Sequence, residues 1–250
     1  MLKTVKFRFY EELNDFLPDS KKKVLFPHSF TGSPSVKDVI EALGIPHTEV
    51  DLILVNQKSE PFSYRIKAGD IISVYPVFES LNISNVTRLR KNTLRDTKFI
   101  LDVHLGKLAK YLRMTGFDTL YKNDYLDNQI IEIALSENRI VLTRDTMLLK
   151  IKKLTHGYWI RATDPMKQLH EVLIRFDLFS DIRPLERCIT CNGIIKETSK
   201  ESVLHLLKTR TRLYYNEFFQ CSICYQVYWK GSHYKKIMSF ADTLKSAGKS

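Results

Sequence analysis

No apolar run in this 250-residue chain approaches the length needed to cross a bilayer, so nothing in it predicts a membrane helix. The opening MLKTVKFRFYEE has no uninterrupted apolar stretch, so no secretory signal is expected and the expected compartment is the cytoplasm. No internal repeat or low-complexity tract occurs, which excludes a repeat array. Cysteine is absent before position 188. An excess of acid is missing too: residues 81–250 carry 29 Lys/Arg against 17 Asp/Glu, whereas residues 1–80 carry 10 against 11. A basic excess confined to one part points to a polyanionic partner there, phosphate backbones being the commonest; a merely cationic surface is the alternative. The apolar content of 44% with 27% charge describes a folded chain, long enough for one large domain or two or three small ones.

Residues 1–80 read as a small α+β unit. VKFRFYEEL predicts a first strand and KKKVLFP a second, after a turn at Pro18 and Asp19. SVKDVIEALGI predicts a helix capped by Ser35, with Val36, Val39, Ile40 and Leu43 on its apolar side and Gly44 and Pro46 ending it. VDLILVN (50–56) and DIISVYPV (70–77) predict further strands. This order resembles a ubiquitin-like β-grasp domain, and GIPHTEVDLILVN with AGDIISVYPV is similar to its sulfur-carrier branch. Carriers of that branch end in a Gly-Gly tail. Here the chain continues as VFESLNISN, so a protein-binding role is expected in place of sulfur transfer.

Residues 81–97 predict a basic linker, with Arg88, Arg90, Lys91 and Arg95 close together. From Lys98 to residue 182, strand and helix patterns alternate: FILDV, GKLAKYLRMTG, DTLYK, DNQIIEIALSEN, RIVLT, HGYWIRA and PMKQLHEVLIRF, the last with Pro165 in its first turn. Such alternation predicts an α/β fold with a parallel sheet flanked by helices.

In an open parallel sheet, ligands bind beyond the carboxyl ends of the strands. Asp102 and Asp145 stand at such ends, and Asp127 stands between a strand and the next helix. Carboxylates brought within about 4 Å repel by roughly 4 kcal/mol per pair at an effective dielectric of 20, so a cluster needs shared protons or a cation. Oxygen ligands of this kind suit Mg²⁺ or Mn²⁺. Two such ions would support phosphodiester hydrolysis, with Lys107, Lys110, Arg113 and Arg144 holding the backbone. Each acid is equally readable as a helix cap: Asp102 before LGKLAKYLR, Asp127 before NQIIEIA and Asp145 before TMLLKIKK.

The run FILDVHLGKLAKYLRMTGFDTLYKNDYLDNQIIEIALSENRIVLTRD is similar to the Mut-seven carboxy-terminal RNase family, which has a PIN-like nuclease fold. The resemblance implies a metal-dependent endoribonuclease in which Asp102, Asp127 and Asp145 are the matching acids. PIN nucleases commonly use four acids, and Asp124 and Asp164 are the candidates for the fourth. His104 would touch the metal site or a phosphate, or serve structure alone.

The four cysteines form two CxxC pairs, Cys188/Cys191 and Cys221/Cys224. A two-residue spacer lets both thiolates face one tetrahedral ion, so residues 183–240 predict a zinc ribbon with a structural ion; disulfides and a redox pair are the alternatives. FFQCSICYQVYWKGSHYKKI resembles the family's second knuckle. Tyr225, Tyr228, Trp229, His233 and Tyr234, interleaved with Lys230, Lys235 and Lys236, would stack bases and hold phosphates, or pack around the ribbon. Residues 241–250 are read as a tail. Two function classes remain: a ribonuclease, or a non-catalytic RNA-binding adaptor whose β-grasp domain takes a protein partner.

Overall fold

The computed structural model describes residues 2–76 and 97–248. Arg88, Arg90, Lys91 and Arg95 of the expected linker lie outside the described residues. Two compact units are present: the first holds the described part of 1–95 with Thr143–Trp159, the second the described part of 96–142 with 160–250. Among the described residues, no helix is long and apolar enough to cross a membrane.

In the first unit, β1 (Lys3–Phe9) turns Val5, Phe7 and Phe9 inward at every second position, the period of a strand with one covered face. It pairs antiparallel with β2 (Phe26–Phe30), Lys3 opposite Phe30 and Phe7 opposite Phe26. The second strand therefore begins later than KKKVLFP suggests. Phe26 and Phe30 match the core side of β1, leaving Val24 and Leu25 exposed, and a one-residue slip would turn both rings to solvent. α1 (Val36–Ala42) opens on a capping box: Ser35 Oγ accepts the Asp38 N–H, and the Asp38 carboxylate accepts the Ser35 N–H. With β3 (Val50–Val55), β4 (Lys58–Ser59) and β5 (Ile71–Pro76), the sheet runs β2-β1-β5-β3-β4, its central pair β1 and β5 parallel. Phe7, Phe9, Ile40, Ile53 and Ile72 share one core. This is the β-grasp arrangement.

In the second unit, β6 (Lys98–Leu101) lies parallel to β7 (Asp118–Leu120) on one side and to β8 (Ile140–Thr143) on the other. Phe99, Ile100, Leu101, Val141 and Leu142 are all buried, as strands covered on both faces must be. α2 (Gly106–Met114) and α3 (Asp127–Glu137) make the crossovers, burying Leu108, Ala109 and Leu112 from one helix and Ile130, Ile131 and Ala134 from the other. α3 ends at Asn138 in the left-handed region (φ 52°), a conformation that asparagine tolerates.

Residues 143–159 belong to the first unit. They hold α4 (Thr146–Leu149), shorter than TMLLKIKK suggests, and β9 (Gly157–Trp159). The turn His47–Glu49 anchors them. His47 Nε2 lies 2.7 Å from the Leu154 carbonyl, and Thr48 Oγ1 donates to the Leu149 carbonyl at 3.4 Å. The buried Glu49 carboxylate accepts the Trp159 N–H at 2.6 Å, and the Trp159 ring packs on Phe16 at 4.9 Å.

The second unit continues with α5 (Pro165–Arg175), which buries Leu169, Val172 and Leu173. A three-stranded antiparallel ribbon follows, of β10 (Ile195–Thr198), β11 (Phe218–Cys221) and β12 (Val227–Trp229). α6 (Lys200–Val203) and α7 (Thr209–Tyr214) lie between its first two strands, and Val203, Leu207, Phe218 and Val227 form its own small core. The last helix, α8 (Ser232–Ala247), runs on through the expected tail, burying Ala241 and Leu244.

Candidate metal centres and nucleic-acid interface

The four cysteines converge. Their sulfurs all lie within 4.8 Å of one another, with Cys188 and Cys224 at 3.5 Å and Cys191 and Cys221 at 3.4 Å. These spacings are too long for a disulfide, and all four thiols are free. They approach the edge of about 3.8 Å that a tetrahedron with metal–sulfur bonds of about 2.3 Å requires. The Gly193 N–H points to Cys191 Sγ and the Ile223 N–H to Cys221 Sγ, each at 3.4 Å. A Cβ at Gly193 would stand 2.7 Å from Cys221 Sγ, so only glycine lets the chain pass the sulfur. Burial raises the proton affinity of Cys188, but the Tyr228 hydroxyl and the Cys191 and Thr190 backbone N–H groups outweigh it and bring the thiol down to about 7. Burial and the adjacent sulfur raise the Tyr228 hydroxyl, which therefore stays protonated and donates to Cys188 Sγ at 3.1 Å. A donor set of four soft sulfurs with these N–H contacts fits a structural Zn²⁺ and leaves no ligand position for substrate.

The first knuckle is bolted to the parallel sheet by residues the sequence pattern did not single out as a group. Arg113, expected to grip phosphate, is only 4% exposed. Its Nε donates to the Thr119 carbonyl at 2.8 Å, and its Nη1 to the Thr190 carbonyl, inside CITC, at 2.8 Å. It is a structural clamp between α2, β7 and the knuckle. Asp118, at the start of β7, accepts from Arg139 at 2.7 Å, Asn192 at 2.7 Å and Arg187 at 3.1 Å. Burial alone would raise its pKa, but Arg139, Asn192 and Arg187 outweigh that and hold the carboxyl below its ordinary value. Asn192 also accepts the Thr119 N–H at 2.8 Å. FDT and CITCNG are both visible in sequence; that they meet is not, because Asp118 and Asn192 stand 74 residues apart.

Among the described residues, the four thiols are the one group of three or more His, Cys, Asp or Glu with ligand atoms so close. The expected acids stand individually as follows. Asp102 directly follows β6 and is 5% exposed; its Oδ1 accepts the His104 N–H at 2.8 Å, capping the turn Val103–Leu105, and the exposed His104 ring lies 3.5 Å away. Asp145 caps α4 by accepting the Met147 N–H at 2.7 Å. Asp164 caps α5, accepting from Met166 and Lys167 at 3.0 Å. Asp127 is not a cap: it is the first residue of α3, exposed, and the cap position is Leu126, whose N–H is bonded by Gln129. Asp124 is exposed on the segment between β7 and α3. The caps at Asp145 and Asp164 use one carboxylate oxygen each, so capping and cation binding are compatible in one residue. Because β6 and β7 are parallel, Asp102 and the 124–127 segment both follow carboxyl ends that open on the same sheet edge. Lys107, Lys110 and Arg144 are exposed, as a phosphate contact requires.

Residues 97–241 match the protein family described as Mut7-C RNAse domain, and residues 2–82 match the family described as Mut7-C ubiquitin. Neither a curated protein nor a solved structure matches the chain significantly.

Proposed function

Because the chain belongs to the Mut7-C RNAse domain family, we propose that it is a divalent-metal-dependent endoribonuclease of the cytoplasm, hydrolysing RNA phosphodiester bonds. The observation that carries this reading is the family match over residues 97–241, which span the parallel ladder, with Asp102 directly after β6, Asp127 opening α3 and Asp145 shortly after β8. In this reading those three carboxylates hold Mg²⁺ or Mn²⁺, with Asp124 or Asp164 as a fourth ligand; their hard oxygen donors fit such an ion. When bound, the ion supplies Lewis-acid stabilisation of the charge that builds on the phosphodiester. Lys107, Lys110 and Arg144 place the RNA backbone, and His104 touches phosphate beside Asp102. Arg113 and the zinc ribbon, residues 183–240, hold the knuckle against the nuclease sheet, residues 98–182. The β-grasp domain, residues 1–80, takes a protein partner. RNA incubated with the purified chain and Mn²⁺ should be cut, and Asp102→Asn combined with Asp145→Asn should abolish the cleavage. Cutting that persists unchanged in the double variant would refute the assignment.

The adaptor reading keeps one observation of its own, since Asp102, Asp145 and Asp164 all do capping work that needs no metal. RNA binding by the wild-type chain with no cleavage under Mn²⁺ would favour it.

A further inference from the structure

A cleft of about 650 Å³ lies beside the ribbon, between β12, α7 and the start of α8. Its volume falls in the range of built ligand sites, roughly 300–1,000 Å³. The walls are aromatic: Tyr214, Tyr215, Trp229 and Tyr234, with Arg210 and His233 as polar groups. Tyr215 packs against Trp229 at 6.3 Å, backing the indole, whereas Tyr214 is 76% exposed despite its size. The Trp229 indole N–H and the Arg210 guanidinium make no hydrogen bond or ion pair with any described residue, so the cleft presents donors as well as ring faces. Residues 204–238 carry six Lys/Arg against one acid, Glu217, and that acid is paired with Lys230.

Resting on the ribonuclease reading for the kind of polymer, we infer that this cleft binds unpaired RNA bases stacked on both Trp229 and Tyr214, while Arg210 and neighbouring lysines hold the adjacent phosphates. Ring faces recognise a base only when it is out of a duplex, which selects single strands and loops. An acidic peptide would satisfy the charge but would leave the ring faces without stacking partners.

Fluorescence anisotropy of the full-length, zinc-loaded chain, without added Mg²⁺ or Mn²⁺, tests this with a labelled single-stranded RNA of about ten nucleotides. Trp229→Ala and Tyr214→Ala should each weaken binding about tenfold, whereas Trp229→Phe should retain most of it. The matching duplex, and an abasic oligomer with the same backbone, should bind about tenfold more weakly than the single strand. Zinc content, measured on each variant, reports an intact ribbon; Tyr214→Ala decides the matter if Trp229→Ala loses the ion, because Tyr214 is a surface residue. Equal binding by Tyr214→Ala and wild type, equal binding of the abasic oligomer, or displacement of the RNA by a polyglutamate peptide as readily as by unlabelled RNA would each overturn the inference. Cleavage is read separately on the Asp102 and Asp145 variants, so either reading can fail alone.

Discussion

Asp118 shows how one side chain carries structure across the second unit. Its carboxylate meets Arg139, Arg187 and Asn192, and Asp118→Ala would leave two guanidinium groups without their shared counter-charge. Removing one partner of a buried pair costs about 3–5 kcal/mol, and a loss of that order in urea unfolding is expected. The pH dependence has a definite sign. The folded pKa is depressed, so the stabilisation is present above the unfolded value, near 3.8, and is lost as pH falls through the folded pKa. Wild type should therefore lose stability on acidification through and below pH 4 more steeply than Asp118→Asn, which has no proton to bind there. Gly193 makes a second residue-scale prediction. Alanine there places a carbon 2.7 Å from Cys221 Sγ and 3.0 Å from the Ile223 side chain, and the sulfur cannot yield without leaving its ligand position, so Gly193→Ala should lower zinc affinity by at least tenfold in a chelator competition.

At the scale of elements, the ribbon's first knuckle and β7 form one hydrogen-bonded piece. Arg113 ties α2 to the Thr190 carbonyl, and Asn192 takes the Thr119 N–H. A metal that orders the CITC turn therefore orders the edge of the parallel ladder as well. Stripping zinc should raise hydrogen exchange at the Thr119 amide along with the ribbon amides, while β1 and β5 amides stay protected. Unchanged protection at Thr119 in the metal-free chain would show that the knuckle and the ladder open independently. Arg113→Lys should reproduce part of the effect, because an ammonium cannot span the Thr119 and Thr190 carbonyls as a planar fork does.

For the whole molecule, chain order and packing order differ. Residues 143–159 lie far along the chain yet pack with the β-grasp unit, through Glu49 to the Trp159 N–H, His47 to Leu154 and Phe16 to the Trp159 ring. A chain shortened to residues 97–250 should therefore lose order over 143–159, seen as new proteolytic cleavage near Lys150–Lys153. Unchanged protease resistance at Lys150–Lys153 in that fragment would show that residues 143–159 keep their order without the β-grasp unit.

Local signals were readable from the residues in order. The alternation in β1, the Ser35 cap and its reciprocal Asp38, the buried run FIL before Asp102 and the two CxxC spacings each depend on neighbours a few positions away, so composition and period determine them. The start of β2 and the length of α4 were not readable, because pairing register and packing decide where a weak local preference stops. The same holds for function-bearing side chains. The sequence placed Arg113 among four cations on equal terms, and only the fold turns its guanidinium inward to carbonyls from β7 and the knuckle, leaving Lys107 and Lys110 outside. What the sequence alone determined is the main strands and helices up to residue 175 and the sulfur ligands; the tertiary structure decided which charges meet a partner, since a buried charge must find one wherever along the chain it lies.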